Sequence, residues 1–368
     1  MNMKELIRTL PELTAACEQV RASGILALDT EFVWRSTYRP RLGIVQMGCG
    51  GEASWAVDVM QGFDPAPLAE LIADPSVVKI LHDARQDLQH LHHYCGALPQ
   101  NVFDTQLAAA FAGFPQGIGL QKLLFEALDV GLPKTETCTD WTQRPLSEAQ
   151  VRYALDDVRY LPALREELLK RTDGLGTRAW LEEELGKYDD PELYADYDPE
   201  EGWKKIRLRR ARLDAHGLAV LKSLAAAREE LAKEWDLLRN WLGEDESLVF
   251  LAETRDAQRL RHRLSHGQGA LVKSRYAAAI AAAEALPAEE CPENPHRRYI
   301  SEVLDAADAA LDWLNVRAEE IHVAPTMIAN RATVTAFVDD VNDESNPLAT
   351  GWRWEAVGAD MAEKFGVE

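Results

Sequence analysis

The sequence contains no long apolar run and little cysteine, and both absences limit what the protein can be. None of its apolar stretches approaches the ~18 residues that a membrane-spanning helix needs, so we expect no such helix. The N-terminal segment mixes charges with apolar residues at helical spacing, so we expect no signal peptide. The five cysteines are scattered without a C-x-x-C pair. This spacing argues against a disulfide framework or a zinc site and predicts reduced thiols in a cytoplasm.

An overall basic character is also missing. The net charge is −21, which by itself disfavours a nucleic-acid partner, because phosphate affinity comes largely from Lys and Arg. The charge is unevenly distributed: residues 201–280 hold 16 Lys and Arg against 11 Asp and Glu, whereas residues 281–368 hold 6 against 18. One basic segment therefore lies between two acidic ones, and it is either a solvated face or a surface that binds nucleic acid.

The hydrophobic pattern changes character part-way along the chain. The segment 25–60 alternates as strands do, which predicts a three-stranded antiparallel meander, and helical spacing follows it. Beyond an acidic stretch that contains two prolines the pattern is wholly helical, and a second proline-containing break divides it. We therefore predict an α/β domain over 1–175, a connector over 176–205, and two all-α domains over 206–288 and 289–368.

A pair of carboxylates ends the first predicted strand, ILALDTEF (25–32). Asp29 and Glu31 are two residues apart, so a strand aims both side chains at the same face. Like charges this close tolerate each other mainly when cations lie between them, and Mg²⁺ or Mn²⁺ prefers such oxygen ligands. The alternative is a strand end whose acids simply reach solvent.

Two later segments add acids that could join this pair. VVKILHDARQDL places His82 and Asp87 just after another short strand, and YALDDVRYL places Tyr153 and Asp157 one helical turn apart. Ser147 and Gln150 form a capping box at the start of that helix. Four acids and a phenol could converge on a two-metal centre that hydrolyses a phosphodiester.

The ordered set D-T-E-F, H-x4-D-L and Y-A-x-x-D-V resembles the three motifs of the DEDD 3′→5′ exonucleases in their tyrosine variant. The segments GLQKLL (119–124) and KTETCTDWTQRPLS (134–147) extend this resemblance to the ribonuclease D family. The histidine variant needs a histidine at position 152, where this chain has arginine. The resemblance implies an RNase H-like exonuclease domain, with a mixed sheet flanked by helices. Two helical HRDC-like domains, the second more divergent, would follow it.

The resemblance also assigns roles to residues. It implies that Asp29, Glu31, Asp87 and Asp157 hold two Mg²⁺ or Mn²⁺ ions and that Tyr153 orients the attacking water. The expected substrate is RNA with a free 3′ end, tRNA precursors by resemblance, which would be shortened by one nucleoside 5′-monophosphate at a time. We expect no obligate protein partner and no membrane association.

Other side chains near the motifs are candidate substrate contacts. Thr30 lies between the two acids, Phe32 could stack on the terminal base or pack in the core, and His82 could contact the terminal ribose or serve a structural role. The resemblance makes Lys134 a candidate phosphate contact, while Arg144 is otherwise expected as a surface charge. The histidines of QHLHH (89–93) are expected to be solvated helix residues.

The basic segment begins with KKIRLRRARL (204–213). Beside a predicted nuclease, this run is expected to contact RNA rather than only solvent, through Lys204, Lys205, Arg207, Arg209 and Arg210. Two rival functions are a non-catalytic RNA-binding protein with a nuclease fold and a 3′→5′ exonuclease that acts on DNA. The first rival predicts a lost carboxylate, and all four are present. The motifs do not separate RNA from DNA.

Overall fold

The structure is a computed structural model of the protein. It describes residues 5–51, 53–132, 139–196, 198–209, 211–295 and 299–367. The chain forms two compact units. Unit 1 comprises Met1–Val33, Leu42–Ala195 and Tyr299–Glu368, and unit 2 comprises Trp34–Arg41 and Asp196–Arg298. Among the described residues no helix combines the length and apolar character needed to cross a membrane.

Unit 1 is built around a six-stranded mixed sheet with the strand order β1-β4-β3-β2-β5-β6. Its strands are β1 (Leu6–Ile7), β2 (Ile25–Val33), β3 (Arg41–Gly48), β4 (Ser54–Asp58), β5 (Val78–Leu81) and β6 (Val102–Asp104). β1 and β4, β2 and β5, and β5 and β6 pair parallel, while β3 and β4 pair antiparallel. The adjacent β2, β3 and β4 correspond to the predicted three strands, and the short β1 was not predicted.

Strand β2 lies inside the sheet and contacts a different core on each face. Leu26 and Leu28 pack in one apolar cluster and Ala27 in another, because successive side chains of a strand point to opposite faces. In the parallel pairing of β2 with β5, Ile25 lies opposite Val78 and Ala27 opposite Ile80. Residues 29–33 therefore extend past the end of β5.

Helices flank this sheet, as expected for the predicted α/β exonuclease fold, which is confirmed. They are α1 (Leu10–Ser23), α2 (Ala66–Ala73), α3 (Ala84–Cys95), α4 (Thr105–Phe111), α5 (Leu120–Leu128), α6 (Glu148–Arg159), α7 (Leu161–Leu175) and α8 (Arg178–Gly186). The long helical pattern after Ser147 is divided at Tyr160 into α6 and α7. Helix α8 lies within the predicted connector.

The described residues of unit 2 from Asp196 onwards form helices and the loops that connect them. Its helices are α9 (Ala215–Glu234), α10 (Arg239–Leu242), α11 (Asp245–Thr254) and α12 (His266–Glu284). Their apolar faces enclose a core that includes Trp203 and Tyr276. The segment Trp34–Arg41 belongs to this unit, since the Tyr38 amide donates a hydrogen bond to Asp236 (3.0 Å) and the Tyr38 hydroxyl donates one to Glu229.

The C-terminal segment returns to unit 1. Its helices are α13 (Ser301–Glu320), α14 (Pro325–Ile328), α15 (Arg331–Asp339), α16 (Gly351–Arg353) and α17 (Ala359–Phe365), with a π-helical turn at Trp354–Gly358. Trp352 is buried, stacks on Trp180 with ring centroids 5.6 Å apart, and donates a hydrogen bond from Nε1 to Glu184 (2.8 Å). The domain boundaries at residues 175, 205 and 288 stay predictions. The packing places the segment from Tyr299 onwards in the same compact unit as the exonuclease domain.

Candidate active site

Strand β2 presents its two acids on one face and two other motif residues on the opposite face. Asp29 and Glu31 alternate with Thr30 and Phe32 along the strand. The acids share the face of Ala27, while Thr30 and Phe32 turn towards α3, where each has a partner. One four-residue motif therefore supplies both the acidic site and its attachment to a neighbouring helix.

Helix α6 carries the second part of the site. The predicted capping box is confirmed. The backbone N–H of Gln150 donates to the Ser147 hydroxyl (3.1 Å), and the backbone N–H of Ser147 donates to Gln150 Oε1 (2.8 Å). With the start of the helix held in this way, Tyr153 and Asp157 lie one turn apart on the same face. Helix α6 packs against β2 and β4, which brings this face to the acids of β2.

Three carboxylates from these two elements converge. One oxygen each from Asp29, Glu31 and Asp157 lies within 4.8 Å of the other two. Burial and the neighbouring charges of Asp157 and Asp87 raise the pKa of Glu31 to about 8, and burial raises the pKa of Asp157 to about 7. Burial and the surrounding carboxylates also hold the pKa of Asp29 well above its usual range. Clustered hard oxygen donors with uncompensated charge fit a divalent cation such as Mg²⁺ or Mn²⁺.

Asp87 approaches from the first turn of α3 and lies outside that group of three. Its carboxylate accepts a hydrogen bond from the Thr30 hydroxyl. Its charge is nevertheless the largest single carboxylate contribution that raises the pKa of Asp29. The structure therefore brings all four predicted acids to one region. Thr30 is only 6% exposed and bonded to Asp87, so its side chain is positioned to hold that acid, and its contact with substrate stays a prediction.

Gln46 is a site residue that the sequence motifs do not predict. This β3 residue is fully buried, and its Nε2 donates to Asp29 Oδ2 over 3.3 Å. Its Oε1 is buried without a hydrogen-bond partner among the described residues. A buried side-chain amide whose oxygen has no partner beside an acidic cluster indicates a site that binds a polar ligand or water. The signal in the sequence was a single glutamine inside the apolar run RLGIVQMG.

The phenol of Tyr153 is held as a hydrogen-bond donor. Burial, followed by the charges of Asp157, Glu31 and Asp29, raises the pKa of Tyr153 above its ordinary value, and its hydroxyl is hydrogen-bonded to Asp157. The ring lies beside Trp141, with centroids 6.1 Å apart. Tyr153 therefore keeps its proton at neutral pH. The Asp157 hydrogen bond orients its hydroxyl, and Trp141 packs beside its ring.

Phe32 and His90 form a ring pair behind the acids. Their centroids are 4.2 Å apart in an edge-to-face arrangement. His90 is 9% exposed, so the expectation that the histidines of α3 are all solvated is wrong for this one. It is buried because Phe32 arrives from a distant strand. Phe32 itself is half-buried, and its stacking on a base stays a prediction.

His82 is held inside the fold. Nδ1 is 3.0 Å from the Thr105 hydroxyl and Nε2 is 3.0 Å from the Ile118 carbonyl. These bonds engage both ring nitrogens and favour the structural alternative for His82, leaving its contact with a ribose as a prediction. Lys134, the expected phosphate contact, lies outside the described residues.

Arg144 is a partly buried residue that joins several segments, instead of the expected surface charge. Its guanidinium donates to both carboxylate oxygens of Asp58, over 2.9 Å from Nε and 2.5 Å from Nη2. It also donates to the carbonyls of Gly43 and Trp141 (3.0 and 2.8 Å). A Cβ at position 43 would lie 2.5 Å from the Trp141 carbonyl oxygen, so only glycine permits this approach. Arg144 thus fixes the segment that places Trp141 beside Tyr153.

Most of the predicted RNA-contacting residues of unit 2 lie around one cavity of about 650 Å³. Its charged lining residues are Lys205, Arg207, Arg209, Arg228, Arg239, Glu244, Asp245 and Glu246. Arg207 is exposed and has no ion pair among the described residues, whereas Arg209 pairs with Glu246 at 2.8 Å. Lys204 does not line the cavity and pairs with Glu201. Arg210 lies outside the described residues.

Comparison with known proteins agrees with this geometry. Residues 5–173 match a family model described as a 3′-5′ exonuclease. Ribonuclease D of Desulfotalea psychrophila is 35% identical over 364 residues, which covers 96% of each chain. This chain belongs to the ribonuclease D family. Ribonuclease D of Pseudomonas paraeruginosa is 42% identical over 250 residues, or 67% of this chain and 64% of that one.

Solved structures extend the likeness of this ribonuclease D-family chain to its whole length. The crystal structure of Escherichia coli RNase D, an exoribonuclease involved in structured RNA processing, matches with a TM-score of 0.86 and 29% identity. The match covers 98% of this chain and 99% of that chain. The catalytic core of RRP6 from Trypanosoma brucei, at 21% identity and a TM-score of 0.59, shares the fold over 76% of this chain and 80% of that chain. The protein is therefore a 3′→5′ exoribonuclease of the DEDD family, and membership of that family implies dependence on a divalent metal.

Proposed function

We propose that this enzyme trims the 3′ ends of structured RNA, tRNA precursors among them, by hydrolysing the last phosphodiester and releasing a nucleoside 5′-monophosphate. The observation that carries the proposal is the convergence of three carboxylates within 4.8 Å, with a fourth beside them. The relatedness to E. coli RNase D supports structured RNA as the substrate class. The free cysteines among the described residues support a reducing cytoplasm as the compartment.

Two Mg²⁺ or Mn²⁺ ions are the proposed cofactors. Asp29, Glu31 and Asp157 would hold one ion, and Asp87 together with Asp29 would hold the other. The acid-only donor set and the raised carboxyl pKa values support this assignment, since cations would offset the clustered charge. When bound, such ions lower the pKa of a coordinated water and stabilise the charge that develops on the phosphate.

The residues of the chain orient the reaction. The Tyr153 hydroxyl keeps its proton, so we assign it to hydrogen-bond donation and water orientation rather than to general base catalysis. Its bond to Asp157 and the packing of its ring beside Trp141 restrict where the hydroxyl can point. Gln46 holds Asp29 from β3, and Thr30 holds Asp87 from β2. These contacts keep the acids in place before substrate arrives.

Unit 2 is proposed to bind the folded body of the RNA. Arg207 and Lys205 in the 650 Å³ cavity supply the support for this assignment, with Lys204, Arg209 and Arg210 as further candidates from the sequence. Such contacts read shape and phosphates rather than bases. The acidic residues 299–367 are not part of this RNA surface in the proposal, because net negative charge repels phosphate.

A labelled-substrate assay tests the chemistry. End-labelled tRNA precursor and a matched DNA strand are incubated with Mg²⁺ or Mn²⁺, and product lengths are followed with time. We expect stepwise 3′ shortening of the RNA, and Asp29→Asn should abolish it while leaving RNA binding nearly intact. Glu166→Gln, on an exposed side chain, is the matched control and should cleave normally. Full turnover by Asp29→Asn would refute the metal assignment, and faster shortening of the DNA would reassign the substrate.

A binding assay tests unit 2. The Lys205→Gln/Arg207→Gln variant should bind folded tRNA more weakly, and its affinity should fall less steeply with salt, by roughly 0.7–0.9 log unit per log salt for each lost contact. Cleavage of a short single strand should be unchanged. Wild-type tRNA affinity and salt slope in this variant would remove the cavity from the proposal.

A further inference from the structure

A small cavity adjoins the catalytic tyrosine on α6. It has a volume of about 120 Å³. One wall is a single stripe of the helix, because its residues follow the i, i+3, i+4, i+7, i+8 spacing of one helical face. The lining residues are Ala149, Arg152, Tyr153, Asp156 and Asp157 from α6, with Gln121 from α5 and Leu132 beyond it. Tyr153 and Asp157 thus border a cavity that is also lined by the polar side chains of Gln121, Arg152 and Asp156.

The size of the cavity limits its occupant. Pockets for whole small-molecule ligands usually measure ~300–1,000 Å³, so this space suits a single chemical group of a larger substrate. Arg152 and Asp156 also line a second cavity of about 260 Å³ on the neighbouring surface of α6. A strand could therefore place one group beside Tyr153 while its neighbours remain outside.

The carboxylates that line the small cavity each have a partner. Asp157 is hydrogen-bonded to Tyr153, and Asp156 lies 3.3 Å from Arg159. Arg152 is exposed, and no ion pair or hydrogen bond engages its guanidinium within the part of the chain that the structure describes. The cavity therefore offers an exposed cation one residue away from the catalytic phenol, with the carboxylate of Asp156 as an electrostatic neighbour.

The competing partners for Arg152 are weak. Burial raises the pKa of Asp156, one turn later on the same helix, and the charges of Arg159 and Arg152 oppose that rise. Glu148 lies one turn earlier and is exposed. Such i, i+4 pairs on a helix surface contribute little, because solvent screens them. A phosphodiester offers two oxygens that match the planar fork of a guanidinium, and charge-assisted bonds of this kind are stronger than ordinary ones.

We propose that Arg152 binds a phosphodiester of the RNA strand adjacent to the bond being cut, with the Gln121 amide as a second, neutral donor. The inference rests on the proposed function, since it places the strand along α6 with its terminal bond at the acids. Contact with a phosphate fixes the strand in register without reading bases, and it acts alike on RNA and DNA.

Enzyme kinetics with three variants test the role of the charge. On a short single-stranded RNA, Arg152→Gln should raise KM about tenfold, the size expected for one charge-assisted hydrogen bond, with kcat within about twofold. Arg152→Lys should recover most of the loss. Lys122→Gln removes an exposed cation of α5 that does not line the cavity, and it should behave as wild type. A fall in kcat without a change in KM would overturn the proposal.

A neutral phosphate analogue identifies the ligand. Substrates carry one methylphosphonate at the first, second or third phosphodiester on the 5′ side of the scissile bond. At the contacted position the analogue should lower kcat/KM of the wild type about as much as Arg152→Gln does, with no further loss in that variant. At the other positions the two losses should add.

Additive losses at all three positions would overturn the proposal, as would an Arg152→Gln defect confined to RNA and absent from matched DNA. These outcomes are separate from failure of the metal assignment, which is judged by Asp29→Asn alone.

Discussion

The hydroxyl of Thr30 donates a hydrogen bond to the carboxylate of Asp87, and this bond ties the strand that carries two site acids to the helix that carries another. Burial raises the pKa of Asp87 to about 7, and the Thr30 bond opposes that rise because it favours the charged form. Thr30 therefore helps Asp87 to remain a charged acid at the position where the site needs it.

Removing this hydroxyl should weaken the site without changing its shape. Thr30→Val keeps the side-chain volume, and we expect a 10–100-fold loss in activity or in apparent metal affinity, as is typical when a group that supports a metal ligand is removed. Thr30→Ser keeps the hydroxyl and should retain most of the activity. Rates measured over a Mg²⁺ titration give both quantities, and wild-type values for Thr30→Val would mean that the bond does not matter for catalysis.

Tyr153→Phe should separate positioning from packing. The ring still fills its place beside Trp141, but the donor is lost, so we expect single-turnover cleavage to slow by ~10²–10⁴ while the fold survives. Asp157→Ala should lower metal affinity as well as rate, and excess Mn²⁺ should restore part of its activity. Cleavage by Tyr153→Phe at a nearly wild-type rate would remove the phenol from the mechanism.

Arg144→Met should destabilise unit 1. Asp58 is 1% exposed, and losing Arg144 would leave its charge buried without an ionic partner, at a cost of roughly 3–5 kcal/mol in the free energy of unfolding. Lys122→Met breaks an exposed pair with Glu126 and should cost at most about 1 kcal/mol. Urea unfolding followed by circular dichroism compares the two variants. Equal, small losses would show that the Arg144 pair stabilises little.

The pH dependence of stability should report on the acid cluster. The raised pKa values of Asp29, Glu31, Asp87 and Asp157 mean that the folded protein binds more protons than the unfolded chain between about pH 4 and 8. Their contribution to stability in the presence of EDTA therefore falls as pH rises through this window. Asp29→Asn removes one of these charges. Its melting temperature should match that of the wild type near pH 5 and exceed it near pH 8.5.

The same argument gives the pH dependence of metal binding. Metal must displace protons from the cluster, so the rise in wild-type melting temperature on adding Mn²⁺ should be larger at pH 8 than at pH 6. Asp29→Asn should show a much smaller rise at both values. A Mn²⁺ effect that is independent of pH would contradict the protonated state of the cluster.

Features with a local pattern were predictable from the sequence. The alternation of ILALDTEF placed Asp29 and Glu31 on one face, and the spacing of Tyr153 and Asp157 placed them on one turn of α6, because strand and helix periods are visible within a few residues. The capping box at Ser147 has the same local character. The mixed sheet followed from resemblance to known exonucleases.

The supports of the site were not predictable in this way. Arg144 reaches Asp58 across 86 residues of chain, and Thr30 reaches Asp87 across 57. No periodicity links such pairs, so the sequence predicts a surface charge at Arg144 and does not reveal the bond between Thr30 and Asp87. The burial of His90 likewise depends on Phe32, which a distant strand supplies. Tertiary contacts decide these cases, and a single sequence carries no record of them.

The return of the C-terminal segment to unit 1 has a consequence for synthesis on the ribosome. The four acids and Tyr153 all precede residue 160, yet Trp352, which covers Trp180, is translated only after the whole of unit 2. A nascent chain that has already made its acids still exposes the apolar surface around Trp180, and transiently exposed surface of this kind favours aggregation. Completion of unit 1 is therefore delayed until unit 2 and the helix that carries Trp352 have been synthesised.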